Sequence, residues 1–300
     1  MKISQIVIEL LTKCNFACPY CRDTSGEKKA ISLDEAKEII SNFKELGIKK
    51  VQLDGGETML YKDISELIDY IVDKGLELGI YTNGSVITSE VAEFIAKYSN
   101  IKLCITIHPL NPEKQIQATI DGIKNLSEVG IYPQIIYVVN SFSYIKLSET
   151  LKRLPKGNYH LVLNPIVQSG RAFDNGIKPL NDKQKKEFLD ILTQIKGEYK
   201  YLEIIDNVSV KSENLMIEKI QMNSDEEFAL HINTDGYVLP FFSADSSTAV
   251  GNIHDMDDLK RKLTLPETLE YFEHSKIAMK RRIEGTQNSE QRKISREEIV

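Results

Sequence analysis

Apolar positions along this chain fall into two spacings that take turns. Short runs rich in β-branched residues read as strands, and longer stretches with apolar residues every three or four positions read as helices. Ser4 to Leu10 (SQIVIEL) predicts a first strand, followed by a cysteine-bearing loop. Ser32 to Leu46 predicts a helix that opens on the capping residue Ser32, with Glu35 three positions on. Strand Lys50 to Leu53, helix Ile64 to Lys74, strand Glu77 to Thr82 and helix Ser89 to Lys97 come next. Strand Lys102 to His108, helix Glu113 to Val129, strand Tyr132 to Asn140 and a short helix Ser148 to Leu154 follow. Strand His160 to Ile166 and helix Lys183 to Lys196 close the series. Six strands, each followed by a crossover helix, imply a parallel sheet with right-handed connections. Six units are too few for an eight-stranded closed barrel, so a partial barrel open at one side is expected, with its site at the carboxyl ends of the strands.

From about Leu202 the texture changes. Asp235-Gly236 sits between two strand-like runs, Phe228 to Ile232 and Tyr237 to Pro240, and predicts a hairpin. A short helix over Leu265 to His274 follows, and after Ala278 the sequence turns polar and charged, as a flexible tail does.

Composition narrows the class of function. A chain of 300 residues with 41% hydrophobic and 27% charged residues is globular and long enough to bury a sizeable core. Its 38 basic and 44 acidic residues leave a net charge of -6, with a pI near 5.6, which argues against nucleic acid or an anionic membrane as partner. No apolar run reaches the ~20 residues of a membrane-spanning helix. Met1-Lys2-Ile3-Ser4 runs into a strand rather than a signal peptide, so a cytoplasmic address is expected.

Three of the four cysteines, Cys14, Cys18 and Cys21, lie in one C-x3-C-x2-C run (CNFACPYC) just after the first strand, and Cys104 sits apart in an apolar run. That distribution makes a poor disulfide framework. Thiolates are soft ligands for iron–sulfur clusters or zinc. Zinc wants four closed ligands, and no fourth Cys or His lies nearby in sequence. Three thiolates on a tight loop suit a [4Fe–4S] cluster with one iron left open, while a structural zinc site and a loop of unrelated thiols are the alternatives. Further along, Gly55-Gly56-Glu57 follows the second strand, and Thr82-Asn83-Gly84 follows the third. Two glycines let backbone approach a ligand closely, and a carboxylate can pair with a ligand ammonium.

Taken together these motifs resemble those of the radical S-adenosylmethionine (SAM) enzymes: C-x3-C-x-aromatic-C, matched by Cys14, Cys18, Tyr20 and Cys21, then a Gly-Gly-Glu run. The resemblance covers about residues 3 to 200. It implies an α/β fold, a (βα)6 partial TIM barrel of the radical SAM type, with a small α+β C-terminal extension. The corresponding division is 1–200 for the partial barrel, 201–278 for the extension and 279–300 for the tail. It also implies one [4Fe–4S] cluster on Cys14, Cys18 and Cys21, and SAM chelated at its open iron. Glu57, beside Gly55 and Gly56, would hold the SAM amino group. Tyr20 would line the adenine side, and Thr106 or His108 would approach the ribose. Thr82 and Asn83 belong to the same expected site. One electron, delivered by a partner such as flavodoxin or ferredoxin, would cleave SAM to methionine and a 5′-deoxyadenosyl radical that takes hydrogen from the substrate. Asn140 and Arg171 are candidates for SAM or substrate. Arg171 could clamp a carboxylate or simply sit in a solvated turn, and His108 could equally be a hydrogen-bonded strand-end residue.

The C-terminal third resembles, in outline, the SPASM or twitch extensions of peptide-modifying members. Phe228 to Pro240 followed by Gly251-Asn252-Ile253 has their strand, turn, strand and Gly-Asn-Ile order. Where that pattern carries cysteines, near Asn223 and after Pro240, this chain has none, Phe241-Phe242 standing in the second place. An auxiliary cluster is therefore not expected, and Cys104 reads as a small buried hydrophobe. The expected substrate is a peptide or amino-acid-derived compound, with a small metabolite such as a sugar or nucleotide as the alternative. A non-catalytic iron–sulfur scaffold or sensor is the reading from another class. The first strand starts by about Ile3, where peptide-modifying members often have a leader-binding winged helix first, so a peptide substrate would call for a separate recognition protein.

Overall fold

The computed structural model describes residues 2–22, 26–199, 203–206, 227–240, 248–268 and 270–272. The readings at Asn223, at Phe241-Phe242 and over the tail 279–300 lie outside these described residues.

The predicted alternation is present. Strands β1 (Lys2–Glu9), β2 (Lys50–Asp54), β3 (Glu77–Thr82), β4 (Ile101–Ile107), β5 (Gln134–Val139) and β6 (His160–Pro165) alternate with helices. The helices are α1 (Leu33–Glu45), α2 (Ile64–Asp73), α3 (Ser89–Ile95), α4 (Glu113–Glu128) and α5 (Leu147–Lys152). A four-residue α6 (Arg171–Asp174) and the long α7 (Asp182–Glu198) follow β6. Local signals set these limits: the Ser32 hydroxyl accepts from Glu35 N at 3.2 Å to start α1, and Asn181 and Gln184 form a reciprocal capping box on α7. Elements without a sequence signal of their own are α6, β7 (Glu203–Asp206), β10 (Gly251–Asn252) and α8 (Met256–Lys262).

All described strands belong to one sheet, in the order β10-β9-β8-β1-β2-β3-β4-β5-β6-β7. From β8 (Glu227–Ile232) through β7 every neighbouring pair is parallel. The predicted hairpin forms, with β8 antiparallel to β9 (Tyr237–Pro240). Its first strand docks on β1 in parallel, Val7 opposite His231 and Ile8 opposite Ile232, so the sheet runs from the barrel into the C-terminal hairpin without a break.

Alternation along each strand decides what each face carries. One face (Ile6 and Ile8 of β1, Val51 and Leu53 of β2, Leu78 and Ile80 of β3) is buried in the main core with Ile40, Phe43, Ile68 and Ile71 of the helices. The other face lines the barrel interior and is mixed. There Gln5 Nε2 donates to Gln52 Oε1 at 3.4 Å and Gln52 Nε2 to Tyr81 Oη at 3.3 Å. Beside them Cys104, Ile136 and Val162 form a small apolar cluster against Tyr81, so Cys104 is the buried hydrophobe expected. With each outer-face Ile or Leu contributing roughly 1.5–3 kcal/mol by burial, the helical layer holds the sheet while the interior stays free for function.

Candidate active site

The exits of β1, β2, β3, β4 and β6 meet at the carboxyl edge of the sheet. Leaving β1, the chain enters the cysteine loop, where Cys14 is exposed, Cys18 buried and Cys21 in between. Gly55 and Gly56 press against this exit. A Cβ on Gly56 would lie 2.5 Å from the carbonyl oxygens of Thr12 and Lys13, and one on Gly55 2.5 Å from the Leu11 carbonyl. The close approach these glycines permit is thus to the chain's own backbone, where Gly56 N donates to Leu11 O at 2.7 Å and Glu57 N to Lys13 O at 3.0 Å.

Glu57 is 1% exposed and is the hub. Its Oε1 accepts from Thr82 Oγ1 (2.5 Å) and Met59 N (3.0 Å), and its Oε2 from Asn83 N (2.7 Å). Burial pushes its carboxyl up, against the pull of these three donors. Asn83 carries the network to the cysteine loop, its Nδ2 donating to Asn15 Oδ1 at 3.0 Å and reaching Cys14 Sγ at 3.9 Å. Thr82 also accepts from Gly84 N at 2.9 Å. The motifs after β1, β2 and β3 are thereby joined in one bonded set.

On the β4 side, Tyr20 Oη lies 2.9 Å from His108 Nδ1, with the rings 5.6 Å apart. Burial pushes His108 down to about 4 and raises the Tyr20 phenol, so both are neutral near pH 7. Neutral His108 that accepts this bond at Nδ1 keeps its proton on Nε2, a donor facing away from Tyr20. Thr106, half-buried, lies on the interior face of β4 opposite Ile136.

Two residues expected to meet SAM or substrate make contacts within the fold. Asn140 has no exposed surface; its Oδ1 accepts from Phe142 N and Ser143 N, both at 3.0 Å, and closes the turn after β5. The Arg171 guanidinium donates to Cys18 O at 3.3 Å, and its backbone N to Cys21 O at 3.0 Å. Asn175 Nδ2 adds a bond to Pro19 O at 2.7 Å, so α6 and its ends clamp the cysteine loop. Gly170, at φ +51°, allows this, since a Cβ there would meet Arg22 O at 2.4 Å.

Several site residues carried little or no local signal. Asn111, 7% exposed after β4, donates from Nδ2 to Cys18 Sγ at 3.1 Å and to Gln115 Oε1 at 3.0 Å. Asp54, directly before Gly55, takes Gly55 N on Oδ1 at 2.8 Å; burial pushes its carboxyl up and Arg22 pulls it back. His231 of β8 shares the interior face with Val7, and burial together with Arg22 pushes it down to about 4. Asp54's place beside the glycine pair was a readable hint. His231, inside the apolar run Phe228 to Ile232, was not.

The thiols suit soft-metal chemistry. Phe16 N donates to Cys14 Sγ at 3.3 Å and Asn111 Nδ2 to Cys18 Sγ, and N–H donors aimed at sulfur favour charged thiolates. Burial, with the nearby Cys14 and Cys21, pushes the Cys18 thiol up to about 12 against the pull of Asn111 and Arg171, a preference that coordination to a metal reverses. As the side chains stand, no three Cys, His, Asp or Glu among the described residues form a group that could hold a metal ion. Nor is any described helix long and apolar enough to cross a membrane.

Comparison with known proteins agrees with this geometry. Residues 8–154 match the Radical SAM superfamily. A protein of Methanocaldococcus jannaschii named probable GTP 3',8-cyclase is 23% identical over 275 residues, covering 82% of this chain and 87% of its own length. An S-adenosylmethionine-dependent nucleotide dehydratase of Selenomonas ruminantium is 29% identical over 172 residues, 56% of this chain and 58% of its own. In fold, Streptococcus suis SuiB bound to precursor peptide SuiA superposes with a TM-score of 0.68 at 18% identity, covering 88% of this chain and 65% of SuiB. The chain thus spans under two thirds of the length of the dehydratase and of SuiB. With the cysteine run, the Gly-Gly-Glu turn and the parallel barrel in one chain, residues 8–154 form a Radical SAM domain, and the chain fits a radical SAM enzyme.

Proposed function

We propose that Cys14, Cys18 and Cys21 hold a [4Fe–4S] cluster, and that SAM binds beside it at the exits of β2, β3 and β4. The bonded set Cys14–Asn83–Glu57–Thr82 is the observation that carries this reading, because it brings the three motifs to one place. When bound, the cluster supplies the electron that cleaves SAM and frees a 5′-deoxyadenosyl radical, which abstracts hydrogen from the substrate. The protein's own part is positioning. Glu57 Oε1 already accepts two donors, whereas Oε2 accepts one and keeps a lone pair for the SAM ammonium. His108 offers Nε2–H, and Thr106 a hydroxyl, toward the ribose; Tyr20 fixes the His108 tautomer. Gly55 and Gly56 seat the Glu57 turn against the cysteine loop, and Arg171 braces that loop from the other side.

The substrate we favour is a peptide or amino-acid-derived compound, supported by the fold shared with peptide-bound SuiB over 88% of this chain. A small metabolite of the nucleotide class is the second reading, favoured by the long match to the Methanocaldococcus protein. A reducing protein such as flavodoxin or ferredoxin would deliver the electron, and a separate leader-binding protein would present a peptide.

Anaerobic reconstitution with iron and sulfide, then dithionite and SAM, tests the reading, with products followed by mass spectrometry. About four irons per chain, expected from one [4Fe–4S] cluster, together with 5′-deoxyadenosine would support it. Iron without SAM cleavage, under every substrate panel, would favour a scaffold. A Cys18→Ala variant that still cleaves SAM would sink the ligand assignment.

A further inference from the structure

Cys18 differs from the other loop thiols in what reaches its sulfur. The sulfur is buried, and among the described residues its one hydrogen bond comes from a side chain, Asn111 Nδ2, at 3.1 Å. The Asn111 carboxamide is held for this contact. Its backbone N donates to His108 O at 3.0 Å, tying it into the turn after β4, and Nδ2 makes a second donation to Gln115 Oε1 at 3.0 Å. Its Oδ1 is buried without a partner, so its donations are what orient the amide.

We infer that Asn111 tunes the reduction potential of the cluster that Cys18 helps to hold. The inference rests on the cluster assignment proposed above. An electron added to an iron–sulfur cluster spreads negative charge onto the ligand sulfurs. An N–H pointed at one of them is stronger in the reduced state than in the oxidised one. The bond therefore favours reduction and raises the potential, and burial keeps water from substituting for it. Asn111 is neutral and acts by direction, unlike the Arg171 guanidinium, which reaches the Cys18 carbonyl rather than its sulfur. Acting through Cys18, it is a positioning residue.

The test is a redox titration of the reconstituted full chain, followed by the visible absorbance and electron paramagnetic resonance of the reduced cluster. Asn111→Leu keeps the branched side-chain frame and removes the donor; Asn111→Gln keeps an amide. The leucine variant should load iron as the parent does, become half-reduced at a more negative potential, and be reduced by dithionite to a smaller extent. The glutamine variant should return toward the parent value. A fully loaded leucine variant with the parent's midpoint overturns the inference. If leucine prevents loading, Asn111→Val, smaller, neutral and with no side-chain donor, carries the same comparison. Failure of both to load while glutamine loads would make Asn111 a structural support of the loop and overturn the tuning role. Absence of a cluster in the parent chain would instead refute the proposed function, so the two failures are separable.

Discussion

Glu57 shows how a single side chain can be asked two questions. It is buried, and three donors converge on its carboxylate, so Glu57→Ala would strand the Thr82 hydroxyl and two backbone N–H groups. At about 1–3 kcal/mol for each buried group left unsatisfied, that variant should lose several kcal/mol of stability. Weakened SAM binding in it would be hard to interpret. Glu57→Gln keeps an acceptor for Thr82 and Met59, leaves only the Asn83 N–H without one, and removes the charge. It should stay folded in urea melts and bind SAM more weakly by calorimetry; unchanged affinity would refute contact with the ammonium. The histidines give a pH prediction. His108 and His231 are pushed down to about 4, below the usual 6.5, so the unfolded chain binds more protons between those values. Stability supplied by their neutral forms is complete above about pH 6.5 and drains as pH falls toward 4, by roughly 3 kcal/mol per histidine. Asp54 and Glu57, pushed up, slope the opposite way. The difference between parent and His231→Gln isolates one group: the variant's urea midpoint should fall less between pH 7 and pH 4.5.

At the scale of elements, α4 contains a glycine that propensity rules disfavour. Gly122 faces the Thr82-Asn83-Gly84 turn so closely that a Cβ would sit 2.0 Å from Gly84 O. Helix propensity alone says Gly122→Ala should gain about 1 kcal/mol. Contact with a backbone oxygen that cannot step aside says it should lose roughly 1–3 kcal/mol, and because that turn carries Asn83 and Thr82, the loss should come with weaker SAM binding. A more stable variant by urea denaturation would show that the helix shifts freely. Element limits were largely legible because their signals are local: the Ser32 cap, the short apolar run of β3, the Asp235-Gly236 turn with Gly236 at φ +77°. What escaped was short or polar. The four residues of α6 have no amphipathic period to read, and they form because Gly170 lets the chain fold back on the cysteine loop.

For the whole molecule, the docking of β8 on β1 matters most. A chain ending at residue 200 would keep every βα unit but leave the β1 edge unpaired from Lys2 to Ile8, and would lack the fully buried Leu230 and Ile232. It should be poorly soluble or aggregate, by size-exclusion chromatography, as open hydrophobic edges do; a monodisperse truncated protein would show that the barrel stands without the hairpin. Linear pattern was enough for the α/β alternation, the cysteine run, the Gly-Gly-Glu turn and the superfamily, because strands, helices, turns and ligand loops are written in neighbouring residues. It could not show that β8 extends the barrel sheet, that Gly55 and Gly56 press on residues 11–13, or that Arg171 braces Cys18. Nor could it bring Asn111 to the Cys18 sulfur across 93 positions. Those contacts join segments far apart in the chain, and they exist only once strand pairing and the burial of one sheet face have set which loop exits lie side by side.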